Sequence, residues 1–291
     1  MSGVMRKFAL LLLAITFVAL FSPHARADRP RWTEHYPAIV EDVRSGQPLT
    51  LLVVVALCDS ALIACGGQGA GDPGSLDKNL YWGRAFGARR YFDETAKKRG
   101  WQRVAQEAGQ GPVLEQLVYR RWVKASVWFP EDAKSAPEMV EQLLVLRAVH
   151  GKRIDDAVLD LYRFAARGAE AIFHEGERER RVPVHVVGYA GHNRLMDVAL
   201  SPPTQGSAGA LPSFVFACRS APYFSETLSD LGSQPLVMTH DLMAPEGYII
   251  EALARGLGEH VSRAELYDRV VASYARWQRI PERTARKIFV R

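Results

Sequence analysis

Two stretches end in side chains that can do chemistry. "LPSFVFACRS" climbs through apolar residues to a thiol, Cys218, before turning polar and basic, and "VPVHVVGYAGHN" does the same with an imidazole, His192. A thiol acts as a nucleophile when a neighbouring base or cation favours the thiolate and substrate can reach it. His192 is the base this sequence offers, since each residue closes an apolar run and both would face the same edge of a sheet. Backbone N–H groups in the turn after Cys218, near the start of the next helix, are the expected support for a thiolate and an oxyanion. The competing reading is that Cys218 is a buried small hydrophobe, a common role for a free cysteine.

Other polar residues fall at comparable places: Cys58-Asp59 after "PLTLLVVVALC", Gly191 and Asn193 around the histidine, Arg219 after the thiol, and His240-Asp241 after "QPLVMTH". Asp59 would either orient His192 or cap the following turn. Glu246, in "MAPEGYIIEAL", stands at a predicted helix start, where a carboxylate favours the exposed N–H groups. A metal site from His192, His240, Cys218 and a carboxylate is a rival constellation, but no compact ligand spacing supports it. The loop "GGQGAGDPG" follows a strand and precedes a helix, yet lacks the Lys-Ser/Thr ending of a phosphate-binding loop. A substrate-covering surface loop is the better expectation. Neither a metal nor a cofactor is expected.

These residues need strands to carry them to one edge. The run from Pro48 to Cys58 reads as a strand buried on both faces, preceded by a short helix at 37–45. Asn79 is placed to cap a helix through "LYWGRAFGARRYFDETAKKRG". "LEQLVYRRWV" and "ASVWF" are strand candidates; "SAPEMVEQLLVLRAVHG" and "IDDAVLDLYRFAARG" read as two helices; "HEGERERR" reads as a solvated loop. Helical patterns follow Cys218 and His240, and a further helix begins at the capping box Ser262-Arg-Ala-Glu265, with Leu266, Val270, Val271, Tyr274 and Trp277 on one stripe. "PERTARKIFVR" restarts a helix at Pro281. Strands alternating with helices predict an α/β fold: a three-layer sandwich, its sheet mainly parallel with helices on both faces, and a helical C-terminus over about 262–291. In such sheets ligands gather beyond the carboxyl ends of the strands.

The pair "VPVHVVGYAGHN" and "LPSFVFACRS" resembles the caspase–legumain–gingipain group of cysteine peptidases, in which a catalytic His follows one hydrophobic strand and a catalytic Cys the next. The resemblance implies a caspase-like fold, Cys218 as nucleophile, His192 as base or proton donor, and Gly191 with the Cys218 backbone at the oxyanion. A closer likeness, carried by "NLYWG", "GHNRLMD", "FACRSAPYF" and "LMAPEGY", is to an uncharacterised family of exported bacterial proteins. That likeness implies no activity. It does imply that Asp59, Asn79, Trp82, Asn193, Asp197 and Glu246 lie in one neighbourhood with the thiol.

The N-terminus bears on compartment. Arg6 and Lys7 precede an apolar run from Phe8 to Phe21, and Ala25-Arg26-Ala27 follows, which predicts a signal peptide over 1–27 and a single domain over 28–291. Cleavage would lower the formal charge from +5 to +2, so nucleic-acid binding loses its main support. No later run is long enough to span a bilayer. The expected protein is exported to the periplasm or beyond. Three cysteines then leave one over, and either Cys58–Cys65 or Cys58–Cys218 would form the bridge. The sequence reading is thus a peptidase-like, cysteine-dependent hydrolase acting on peptide or protein, or else a non-catalytic envelope protein of the same fold. It leaves the oligomeric state open.

Overall fold

The structure, a computed structural model, describes residues 30–131, 137–202 and 209–291; the predicted signal peptide lies outside them. The elements in chain order begin with α1 (Pro37–Arg44), β1 (Leu49–Ala56), α2 (Ala88–Glu94), β2 (Gln102–Ala108), β3 (Val113–Lys124) and β4 (Met139–Val149). Then come α3 (Ile154–Arg167), β5 (Glu170–Glu175), β6 (Arg178–Pro183), β7 (Val186–Ala190), β8 (Ser213–Phe216) and α4 (Ser220–Asp230). The C-terminal part holds β9 (Met238–Thr239), α5 (Gly247–Gly258), α6 (Arg263–Gln278), α7 (Glu282–Ala285) and β10 (Phe289–Val290).

Six strands form one mixed sheet in the order β2-β3-β4-β1-β7-β8. The run β4-β1-β7-β8 is parallel, while β2 and β3 extend it antiparallel. Every residue of β1 is buried, as its unbroken Val and Leu run requires of a central parallel strand. Its alternate side chains enter two separate cores. Leu51, Val53 and Val55 pack with α1, α2, α5 and α6 on one face; Leu52, Val54 and Ala56 pack with α3 and α4 on the other. The expected three-layer arrangement, helices on both faces of a mostly parallel sheet, follows from that alternation.

Several local expectations give way. The segment read as a helix before Gly151 is β4, which pairs with β1 and β3 and buries residues from both faces. A short apolar run carries no decisive period, and a place between two strands decides it. "HEGERERR" belongs to the hairpin β5–β6, turning at Gly176 with φ 63°. Two of its arginines are held by carboxylates: Arg180 pairs with Glu141 and Glu175, and Arg181 with Glu179. The helix foreseen from Asn79 shrinks to α2, and "ASVWF" forms a helical turn at Ala125–Val127 rather than a strand. "QPLVMTH" adds no long strand to the sheet; Pro235 bridges Ser213, and β9 pairs antiparallel with β10. The tail after Pro281 is therefore one helical turn, α7, leading into a strand. Ser262 does cap α6, accepting from the Glu265 N–H at 3.2 Å, and Leu266, Val270, Val271 and Tyr274 are buried.

Candidate functional site

Because β1, β7 and β8 run parallel, their exit turns share one edge. The register sets His192 and Cys218 at matching places: Ala190 pairs with Phe216, and each functional residue stands two positions further on. The ladder continues one step, with Gly191 N–H donating to Phe216 O at 3.2 Å. Adjacent strands lie about 4.8 Å apart, so the register brings the two exit turns side by side.

Asn193 joins those turns. Its side chain is fully buried; Nδ2 donates to Cys218 O at 2.7 Å and to Arg219 O at 3.4 Å, and Oδ1 accepts from Leu195 N–H at 3.1 Å. On the far side Arg219 adopts a left-handed φ of 51°, which turns the chain sharply from β8 into α4. Of the N–H groups expected to serve an oxyanion there, those of Arg219 and Ser220 are already engaged. Arg219 N–H donates to Asp241 O at 3.0 Å, and Ser220 N–H to Thr239 Oγ1 at 3.0 Å. Gly191 N–H is likewise held by Phe216 O.

The thiol meets the loop before α5 instead. Met243 N–H donates to Sγ at 3.4 Å, and Sγ donates to Met243 O at 3.5 Å. Cys218 is partly exposed, and it is the free cysteine, since Cys58 and Cys65 form a disulfide. The Cys58–Cys218 alternative is thereby excluded.

His192 is oriented by Asp197, not by Asp59. Its Nε2 lies 2.7 Å from Asp197 Oδ2, its side chain is 11% exposed, and Tyr189 Oη donates to its carbonyl at 2.7 Å. Asp197 is itself braced by Arg194 at 3.4 Å, and Arg194 reaches Asp155 on α3 at 2.7 Å. With Nε2 facing a carboxylate, Nδ1 is the nitrogen left to act as base. Asp59 is buried and accepts from Ala61 N–H at 2.9 Å, which makes it a turn cap. No hydrogen bond joins His192 to Cys218 among the described residues.

The other expected site residues separate into near and remote. Glu246 is buried, and desolvation pushes its carboxyl upward; Oε2 accepts from Gln278 Nε2 at 3.0 Å. It stands at the N-cap of α5, the helix start expected of it, and its side chain makes no capping hydrogen bond. Burial pushes the Tyr81 and Tyr274 phenols upward, and the Glu246 carboxylate adds to the shift. His240 and Asp241 are exposed; Asp241 contributes its carbonyl to Arg219. Asn79 stitches β1 to the Gly-rich loop, accepting from Cys58 N–H at 3.0 Å and donating to Cys58 O and Asp72 O at 2.8 Å. With the disulfide, it anchors that loop at its start and its end. Trp82 points elsewhere, donating to Glu115 on β3 at 2.7 Å. Sequence reasoning did not single out Tyr81, Met243, Gln278 or Arg194, and it placed Tyr274 only on the apolar stripe of α6.

Among the described residues no three His, Cys, Asp or Glu side chains converge as metal ligands would, so His192, His240, Cys218 and a carboxylate do not form a metal site. No described helix is long and apolar enough to cross a membrane. Comparison with protein-family models, curated proteins and solved structures yields no match.

Proposed function

We propose that this protein is an exported, peptidase-like hydrolase of caspase-like arrangement, with Cys218 as nucleophile and His192 as base. The observation that carries the reading is the register of β7 and β8, which sets a free, partly exposed thiol and a carboxylate-oriented imidazole at matching positions of adjacent strands. His192 Nδ1 takes the thiol proton as the sulfur attacks a carbonyl carbon. It returns that proton to the leaving amine as the C–N bond breaks, and a thioester remains. A water, deprotonated by His192, then attacks the thioester; the C–S bond breaks, the acid leaves, and His192 returns the proton to the sulfur. Asp197 holds the ring for this exchange, and Met243 N–H supports the sulfur's negative charge.

A second reading keeps the fold without turnover, as an envelope binding protein. It is favoured by one fact: Sγ is engaged by the backbone of Met243 on both sides, without a hydrogen bond to His192. A peptide-library digest decides between the two. Cleavage by the native protein that vanishes in Cys218→Ala supports the hydrolase. Absence of cleavage across the library, with Cys218 nonetheless reactive, supports the binding protein.

A further inference from the structure

A cleft of about 650 Å³ opens on the flank of the sheet away from β8, between the hairpins β2–β3 and β5–β6 and the end of β4. Arg147 of β4 lines it, on the face that Val145 and Val149 share with α3. Burial pushes the pKa of its guanidinium down, and it forms no ion pair among the described residues. Arg121, which burial lowers likewise, has Glu259 at 3.5 Å. Arg147 Nε donates to Gln116 Oε1 at 2.8 Å, while Nη1 and Nη2 have no hydrogen-bond partner among the described residues and yet stay accessible. A half-desolvated cation without a counter-ion is costly, and an anion entering the cleft offsets that cost.

The rest of the lining narrows the choice of anion. Glu107 Oε1 accepts from the His174 N–H at 2.7 Å and lies 3.0 Å from His174 Nδ1, whereas its Oε2 accepts only from Gln116 Nε2, at 3.1 Å. With this carboxylate in the same cleft, a doubly charged anion such as phosphate meets repulsion that one guanidinium does not offset. A carboxylate brings a single charge and matches the planar fork of Nη1 and Nη2. Gln116 stands between the two charges, holding Arg147 at its side-chain oxygen and Glu107 at its nitrogen. Cation and anion are therefore held one carboxamide apart, without an ion pair between them. A ligand with a carboxylate and an ammonium on one carbon bridges that gap, since Glu107 Oε2 has acceptor capacity to spare.

We propose that this cleft binds an apolar α-amino acid, its carboxylate on the Nη fork of Arg147 and its ammonium on Glu107 Oε2. Ala108, Val113 and Ile172 also line the cleft and give the side chain an apolar wall. The site is separate from Cys218 and His192 and does not depend on their chemistry.

Titration calorimetry on the whole protein tests this with leucine, with isocaproate, which lacks the ammonium, with isoamylamine, which lacks the carboxylate, and with inorganic phosphate. Leucine should bind about tenfold or more tightly than each of the other three, a factor the size of one charged hydrogen bond. Arg147→Gln should weaken leucine binding by about tenfold or more. Absence of leucine binding, equal binding of leucine and isocaproate or isoamylamine, a preference for phosphate, or leucine affinity unchanged in Arg147→Gln would overturn the proposal. The ligand series uses the native protein, so it decides the matter even if Arg147→Gln fails to fold.

Discussion

Asn193→Ala removes the amide that joins the exit turns of β7 and β8. The side chain is wholly buried and makes three hydrogen bonds, of which those to Cys218 O at 2.7 Å and from Leu195 N–H at 3.1 Å are well formed. Its partners belong to half-buried residues, so each bond lost costs about 0.5–1.5 kcal/mol and the two together predict a loss of about 1–3 kcal/mol. For a domain of this size that corresponds to a fall in Tm of at least about 2 °C. Asn193→Asp keeps the shape and the acceptor for Leu195 N–H but sets carboxylate oxygen against two carbonyls. At neutral pH it should be no more stable than the alanine variant. Urea denaturation of the three proteins measures this, and alkylation of Cys218 on the same samples reports whether the thiol has moved relative to His192. A loss below about 1 kcal/mol in Asn193→Ala, with Asn193→Asp indistinguishable from the native protein, would refute the clamp, since two lost hydrogen bonds together cost about that much or more.

Asp197→Asn should preserve the fold yet lower His192-dependent turnover, and His192→Ala should lower it by about 10²–10⁴-fold, as loss of a general base does; steady-state cleavage of a library-derived peptide checks both. His260 is stacked on Trp128 at 4.0 Å, and burial, reinforced by Arg31, pushes its pKa down to about 4. The folded state therefore binds fewer protons than the unfolded one between about pH 6.5 and 4, and up to about 3 kcal/mol of stability should be lost as pH falls through that window. Urea melts at the two ends of the window should show this loss reduced in His260→Asn. Replacing Cys58 and Cys65 together with Ser should cost about 2 kcal/mol, the loop-closure contribution of a ring this short, while Cys218 stays equally reactive; thermal melts and thiol labelling report the two effects separately.

How far the sequence shows this molecule depends on whether the signal is local. β1, β7 and β8 are legible because a strand buried on both faces needs an unbroken apolar run, and the polar residues that end those runs become the site edge. β4 is interrupted by Glu141, Gln142 and Arg147, its flanks suit a helix equally well, and only its place between β1 and β3 settles the matter. The hairpin β5–β6 hides in a charged run because its support is non-local: Arg180 lies against Glu141 of β4, and Arg120 of β3 against Glu175. Gly176 was the one local mark of its turn. At the site, Cys218 and His192 are visible as strand ends, whereas the choice of Asp197 over Asp59 as the orienting carboxylate depends on the helical turn that Asn193 caps. Met243 reaches the thiol from a distant segment, and its spacing in the chain carries no trace of it.

The Cys218–His192 pair is tested most directly by the rate at which iodoacetamide labels Cys218 near neutral pH, located by peptide mapping, in the native protein and in His192→Ala. The pair predicts selective labelling of Cys218 that slows by about tenfold or more when the imidazole is removed, because a histidine partner raises the thiolate fraction. Equal rates in the two proteins would contradict it and leave Cys218 as a packed, unassisted thiol.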